Sequence, residues 1–541
     1  MSYKNSFSSY ILKKNNTHNA LLLVSCVLLL IARYLSTSFS LIHFLVFLLF
    51  VIVSYYLSVS NKWYRFIGKT GILICIFYTG LYNGAIVGFR FPLEVIFADV
   101  ISVMLATNGS EIEAFTKNII AQRPSGLLFS LASLFSFFLT FFVKRRSSKE
   151  CGNKSAIFLF VFTTLLFSML YFEAIGQSAS VLTKKLPTYI DQIMASYDAS
   201  EKRKHFQWNA KATVKGSQVV VLVLGETTRG DHMSICGYER NTTPNLKKMD
   251  VIAFKDSISI GSHTLISTPF MLTRKPVTKD NIYKLFDETS IISAFKEAGF
   301  KTFYLSYLTA VHVGDNEINQ IVSEADVFQS RPWFDDQDSQ FIPMVDHIIS
   351  QDSSPKKLII IKLLGSHLNF QDTYPLNFDV FKPSFKTEKY TGHDVRKKQV
   401  FINTYDNSIL HTDFVVSKII ETLQKINNAE VSLSFISDHG TSIFEDDKTL
   451  YGGFNKANYN AAMFFWFNDI VYSRLYNKIN IMKKNINKPV DSTYFIDTVL
   501  DIAGVDSKRN GKNLFDNRLS SADNRYVIVG DDIDLYKNIM Y

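Results

Sequence analysis

The chain has 541 residues, with 58 Lys and Arg against 49 Asp and Glu, giving a formal net charge of +9. It is too long for one ordinary domain, and its apolar residues are unevenly spread. Much of the cation excess flanks apolar segments, and no DNA- or RNA-binding motif accompanies it, so the charge does not argue for nucleic acid as a partner.

Five long apolar segments come first, at about 20–38, 41–60, 69–89, 125–143 and 155–175. Each reaches the roughly 20 residues that cross about 30 Å of hydrocarbon. They are apolar all round, which a core helix with one buried stripe is not, so five transmembrane helices are expected over residues 1–176. The first segment follows Lys4, Lys13 and Lys14 and has no small-residue cleavage site after it, as in an uncleaved signal anchor. Basic groups recur at Lys62, Arg65 and Lys69 and at Lys144, Arg145, Arg146 and Lys149, while the segment from about 91 to 124 carries Glu94, Asp99, Glu111 and Glu113. The positive-inside rule makes the basic groups cytoplasmic, and an odd number of crossings puts everything after residue 176 outside. Of the four cysteines only Cys236 lies in that outer part, so an internal disulfide is excluded there.

Residues 177–212 mix aromatics, among them Tyr189, Phe206 and Trp208, with Lys184, Lys185, Lys202, Arg203 and Lys204. That composition suits a linker helix on a membrane surface, and an ordinary exposed helix as well. From 213 to 541 apolar runs alternate with helical patterns such as Ile291 to Ala298 and Val415 to Ile426. The alternation predicts a layered α/β domain with a mostly parallel central sheet. Val219 to Leu224 is six consecutive apolar residues, four of them Val, and reads as a strand buried on both faces. It releases Gly225-Glu226. Leu358 to Leu364, read as a second apolar run, releases Gly365-Ser366-His367, and Val431 to Ile436 releases Ser437-Asp438-His439-Gly440. α/β proteins keep their sites at such carboxyl ends.

Glu226, Asp438 and His439 form a mixed oxygen and nitrogen set that suits Zn²⁺ or Mn²⁺. The segment Gly261-Ser262-His263-Thr264 runs into an apolar stretch, as at a helix N-terminus, where free amides and the helix dipole favour an anion. A threonine hydroxyl there needs a metal to act as a nucleophile at neutral pH. An Asp-His pair or a Thr-rich turn alone is common. Their conjunction with three strand ends carries the expectation of an enzyme site.

At these residues the chain also resembles a known family. Gly225-Glu226-Thr227-x-Arg229-x-Asp231-His232, then Gly237-Tyr238-x-Arg240-x-Thr242-x-Pro244-x-Leu246, Asn403-Thr404-Tyr405-Asp406-Asn407 and Ser437-Asp438-His439-Gly440 are similar, in order, to the signature of bacterial phosphoethanolamine transferases. These include lipid A modifiers and mobile colistin-resistance proteins, within the alkaline phosphatase and sulfatase superfamily. The resemblance implies five inner-membrane helices before a periplasmic catalytic domain. It implies zinc held by Glu226, Thr264, Asp438 and His439, with Thr264 the phosphorylated nucleophile. His367 matches a histidine near the donor headgroup or a second metal, and Thr107 and Glu111 match polar residues that hold the lipid donor. The donor implied is phosphatidylethanolamine, the acceptor a lipopolysaccharide sugar or phosphate on lipid A, Kdo or the core.

This chain departs from that pattern in three places. Tyr451 stands where the family has a second outer histidine, so a single stable zinc is expected, with His367 and Tyr451 as substrate contacts. Ile260 and Phe270 replace the half-cystines that flank the nucleophile in many relatives, and Val103 replaces a polar donor-loop residue. Three other readings stay open. A sulfatase-like hydrolase would use a Cys or Ser-x-Pro-x-Arg motif, which Ser267-Thr268-Pro269 begins but Met271 does not complete. A phosphoglycerol transferase shares the architecture, and a non-catalytic membrane scaffold would have no need of the ligand set.

Overall fold

The computed structural model describes residues 199, 201–307, 317–330, 338–367, 369–390, 394–507 and 511–540. The five expected membrane segments, Thr107 and Glu111 lie outside these residues. Among the described residues no helix is long and apolar enough to cross a membrane.

Seven strands form the central sheet: β1 (Gln218–Gly225), β2 (Ile252–Phe254), β3 (Lys301–Ser306), β4 (Val327–Ser330), β5 (Lys356–Lys362), β6 (Glu430–Ser437) and β7 (Met463–Phe467). Their order across the sheet is β2-β7-β6-β1-β5-β3-β4. β1 pairs in parallel with both β5 and β6, and β3 with β5 and β4. Only β7 runs against its neighbours, so the sheet is mixed and mostly parallel.

The alternation of side chains explains why β1 is apolar from Val219 to Leu224. Val219, Val221 and Val223 enter the core on one face, and Val220, Leu222 and Leu224 enter the core on the other. The first core is closed by α3 (Phe341–Gln351) and the long α4 (Lys398–Leu423). The second is closed by α1 (Thr264–Leu272), α2 (Ile291–Glu297) and α5 (Phe495–Ala503). Burying both faces of the strand makes each of its Val and Leu side chains worth roughly 1.5–3 kcal/mol in transfer free energy.

Two glycines let the strand ends meet. A Cβ on Gly225 would stand 2.6 Å from the Phe435 ring, and one on Gly365 would stand 2.6 Å from the Glu226 carbonyl oxygen. Gly365 also has φ +55, which glycine adopts without penalty. The β5 run, read from sequence as continuously apolar, is interrupted at its last strand residue by the buried Lys362.

The end of the segment at 177–212 packs on this fold. Trp208 is 4% exposed; its indole N–H donates to Thr289 Oγ1 at 3.1 Å, and its backbone N–H donates to Glu297. Lys211–Ala212 pairs antiparallel with Val505–Asp506, and Arg203 is held at 2.5 Å by Glu324. The aromatic and the cation have a core and a carboxylate to satisfy them, so neither needs a lipid interface.

Candidate functional site

β1 hands Glu226 to a sharp turn in which Thr227 takes φ +57. The turn is clamped from behind. The Tyr405 hydroxyl on α4 donates to the Thr227 carbonyl at 2.7 Å and accepts from the Arg229 N–H at 2.9 Å, while Ser437 Oγ accepts from the Thr228 N–H at 2.8 Å. The Arg229 guanidinium lies buried against Asp231, Glu445 and the Thr441 carbonyl. Asp406 accepts from Arg240 at 2.8 Å and pairs with His232 Nδ1 at 2.7 Å. Much of the family-like motif thus braces the loops that carry the site, and its remaining residues fill it.

Beside Glu226, β6 delivers Asp438 and His439. Asp438 Oδ1 accepts the Thr227 and His439 N–H groups at 3.1 and 2.8 Å, which leaves Oδ2 pointing inward. The His439 Nδ1 lies 2.6 Å from the Gly440 carbonyl. A carbonyl can only accept, so the proton sits on Nδ1 and the neutral ring offers its Nε2 lone pair. Thr264, the first residue of α1, places Oγ1 at 3.1 Å from Glu226 Oε2, 2.8 Å from Asp438 Oδ2 and 3.3 Å from His439 Nε2. No side chain caps that helix, and its first amides, those of Thr264 and Leu265, have no acceptor within it.

These residues suit a small divalent cation. Donor atoms of Glu226, Asp438 and His439 all lie within 4.8 Å of one another, and all three residues are buried. Four ligands at about 2.0–2.1 Å in a tetrahedron would stand about 3.3 Å apart, and the distances from Thr264 Oγ1 run from 2.8 Å up to that value. Electrostatics agree. Burial alone would raise the Glu226 carboxyl, but Lys362 and His439 hold it well below the usual range. Burial alone would lower His439, but the Asp438 and Glu226 carboxylates raise it to about 9, so a metal would displace a proton from Nε2.

His367 follows Gly365-Ser366 on the loop whose Ser366 N–H donates to the Glu226 carbonyl at 2.9 Å. Its Nε2 lies 3.3 Å from the Tyr451 hydroxyl, with ring centroids 5.8 Å apart. The structure therefore brings Glu226, Thr264, Asp438 and His439 into one cluster and pairs His367 with Tyr451. Ser267, the hydroxyl of the sulfatase-like reading, is buried in α1 and donates to the His263 carbonyl at 3.0 Å. Its hydroxyl is spent on its own helix.

Lys362 was missed by sequence reasoning. Its Nζ lies 2.8 Å from Glu226 Oε2, 2.8 Å from Asp438 Oδ2 and 3.0 Å from the Gly225 carbonyl. The signal available was the one cation in the otherwise apolar run Leu358 to Leu364, three residues before Gly365.

The sulfatase family model matches residues 218–505. The chain belongs to the sulfatase family. Within it the chain is similar to the phosphoethanolamine transferases. It is 27% identical over 325 residues to the Kdo(2)-lipid A phosphoethanolamine 7''-transferase of Escherichia coli K12, covering 57% of this chain and 55% of that protein. The chain spans about half the length of the curated relatives it matches. The C-terminal periplasmic domain of EcEptC from Escherichia coli, solved in complex with Zn, superposes with TM-score 0.54 at 22% identity, over 62% of this chain and 96% of that one. The integral membrane protein lipooligosaccharide phosphoethanolamine transferase A from Neisseria meningitidis gives TM-score 0.56 at 16% identity, over 90% and 96%. At such identities these structures show the shared fold.

Proposed function

We propose that this chain transfers phosphoethanolamine from phosphatidylethanolamine to a lipopolysaccharide acceptor, a sugar or phosphate of lipid A, Kdo or the core, through a phosphothreonine on Thr264. The observation that carries the reading is Thr264 Oγ1, within 3.3 Å of two carboxylates and an imidazole at an uncapped helix N-terminus. Its likeness to phosphoethanolamine transferases of lipid A supports the same group and acceptor class. Residues 1–176 would anchor it in a bacterial inner membrane through five helices, with residues 213–541 in the periplasm. Lipid donor and acceptor make such an anchor useful, because neither has to be extracted from its bilayer.

In this scheme Glu226, Asp438, His439 and Thr264 hold the cation, zinc by preference and manganese as a substitute. When bound, it would neutralise charge on the phosphoryl group and ease ionisation of the attacking hydroxyl. Thr264 Oγ1 forms a bond to phosphorus as the bond to the diacylglycerol oxygen breaks, and diacylglycerol takes the proton that Thr264 loses. The acceptor oxygen then bonds to phosphorus, and its proton returns to Thr264. The amides at the start of α1 face the phosphoryl oxygens through both steps, so the residues act by position and charge. His367 and Tyr451 contact the headgroup, and Thr107 and Glu111 hold the donor lipid.

The test is Thr264→Ala in the full-length chain, read by mass spectrometry of lipopolysaccharide from cells producing it. The variant should insert and fold normally but leave lipopolysaccharide without added phosphoethanolamine. Modification at near-normal levels would assign the nucleophile elsewhere.

A further inference from the structure

Lys362 is used neither as a ligand nor as a nucleophile in the scheme above. Its side chain is 6% exposed, at the last position of β5. An ammonium has three N–H donors, and Lys362 has three acceptors in reach: Glu226 Oε2, Asp438 Oδ2 and the Gly225 carbonyl. The same Glu226 and Asp438 oxygens lie 3.1 and 2.8 Å from Thr264 Oγ1. The two carboxylates are thus shared between a permanent cation on the strand side and the space beside Thr264.

We infer that Lys362 is a resident counter-cation that keeps the two buried carboxylates in place without metal and, by competing for their charge, loosens the metal when it binds. The inference rests on reading the cluster as a metal centre. Two carboxylates buried without a cation repel each other and have lost their hydration. The ammonium offsets both costs, so the unloaded protein keeps its site formed. Once a divalent ion enters, it meets a fixed positive charge across shared oxygens, and that repulsion opposes its binding. Lys362 is therefore a positioning residue whose removal has opposite effects on the two states.

The experiment compares wild type with Lys362→Met, similar in length but uncharged, in detergent-solubilised full-length protein. Zinc affinity is measured by competition with a chelator, and thermal midpoints are recorded in chelator and in zinc. The expected result is a zinc dissociation constant at least tenfold lower in Lys362→Met. Its midpoint in chelator should fall by about 5 °C or more, with most of that loss restored by zinc. Equal losses in chelator and zinc, or weaker zinc binding, would overturn the inference and leave the metal centre standing. A wild type that binds no zinc would overturn both. If Lys362→Met folds only with zinc, the inference is supported. If it folds in neither condition, Lys362→Gln is measured in its place, and failure of that variant in both conditions overturns the inference.

Discussion

A single phenol decides how many metal ions the site should hold. Tyr451 offers a neutral hydroxyl where a second imidazole would be needed, and His367 beside it is one ligand. One tightly held zinc per chain is therefore expected after dialysis against zinc-free buffer, counted by elemental mass spectrometry. Two retained ions would mean that another residue completes an outer site. Tyr451→Phe should keep that one ion and raise KM with kcat nearly unchanged, by about 0.5–1.5 kcal/mol for one lost hydrogen bond. Loss of metal in that variant would make Tyr451 a ligand. At this scale the sequence was informative where a side chain follows a strand, as Glu226, Asp438 and His439 do. It was silent on Lys362, because a charged residue inside an apolar run says nothing about which carboxylates lie across the sheet. Thr264 lies 38 residues from Glu226 and 174 from Asp438 along the chain. Resemblance pointed to their association, which spacing alone did not.

Among the elements, α4 joins the core to the loops around the site and carries two buried titratable groups with opposite shifts. Asp413 accepts the Asn245 and Leu246 N–H groups, and burial pushes its carboxyl up to about 6. His411 is pushed down to about 4 by burial, despite its hydrogen bond to the Thr373 carbonyl. A carboxyl whose folded pKa exceeds its unfolded value of about 3.9 stabilises the fold fully at low pH, and that contribution is lost as pH rises through about 6. For His411 the neutral ring is favoured in the fold, so its contribution is lost as pH falls from about 6.5 toward about 4. The two therefore oppose each other between about 4 and about 6. The destabilisation caused by Asp413→Ala should shrink as pH is raised across that window, measured by chemical denaturation at fixed ionic strength. A gap that widens with pH would contradict the assignment. The layered arrangement itself was legible from composition, since the unbroken apolar run Val219 to Leu224 needs both faces of β1 covered. The end of the 177–212 segment was not legible, because Trp208 reads the same whether its partner is a lipid headgroup or the Thr289 hydroxyl.

For the whole molecule, the proposal stands or falls on which side of a membrane the catalytic domain lies. Reporter fusions after residues 66 and 147 should behave as cytoplasmic, and fusions after 110 and 300 as periplasmic. A cytoplasmic signal at 300 would separate the site from the outer-leaflet lipids that the reaction needs.

The close approach at Gly365 has a consequence for how such a site diversifies. Its missing side chain is filled by the Glu226 backbone, so Gly365→Ala must shift Glu226 and should cost activity outright. Across the pocket, Gly452 follows Tyr451 at φ +76 with nothing within 4 Å of where a Cβ would stand. Asn tolerates left-handed backbone better than other side chains, so Gly452→Asn should be accepted with little loss. The backbone beside Glu226 thus leaves no room for a side chain, while the turn after Tyr451 has the room and restricts only the backbone conformation. Substitutions in this chain should therefore be tolerated at the turn after Tyr451 before they are tolerated beside Glu226.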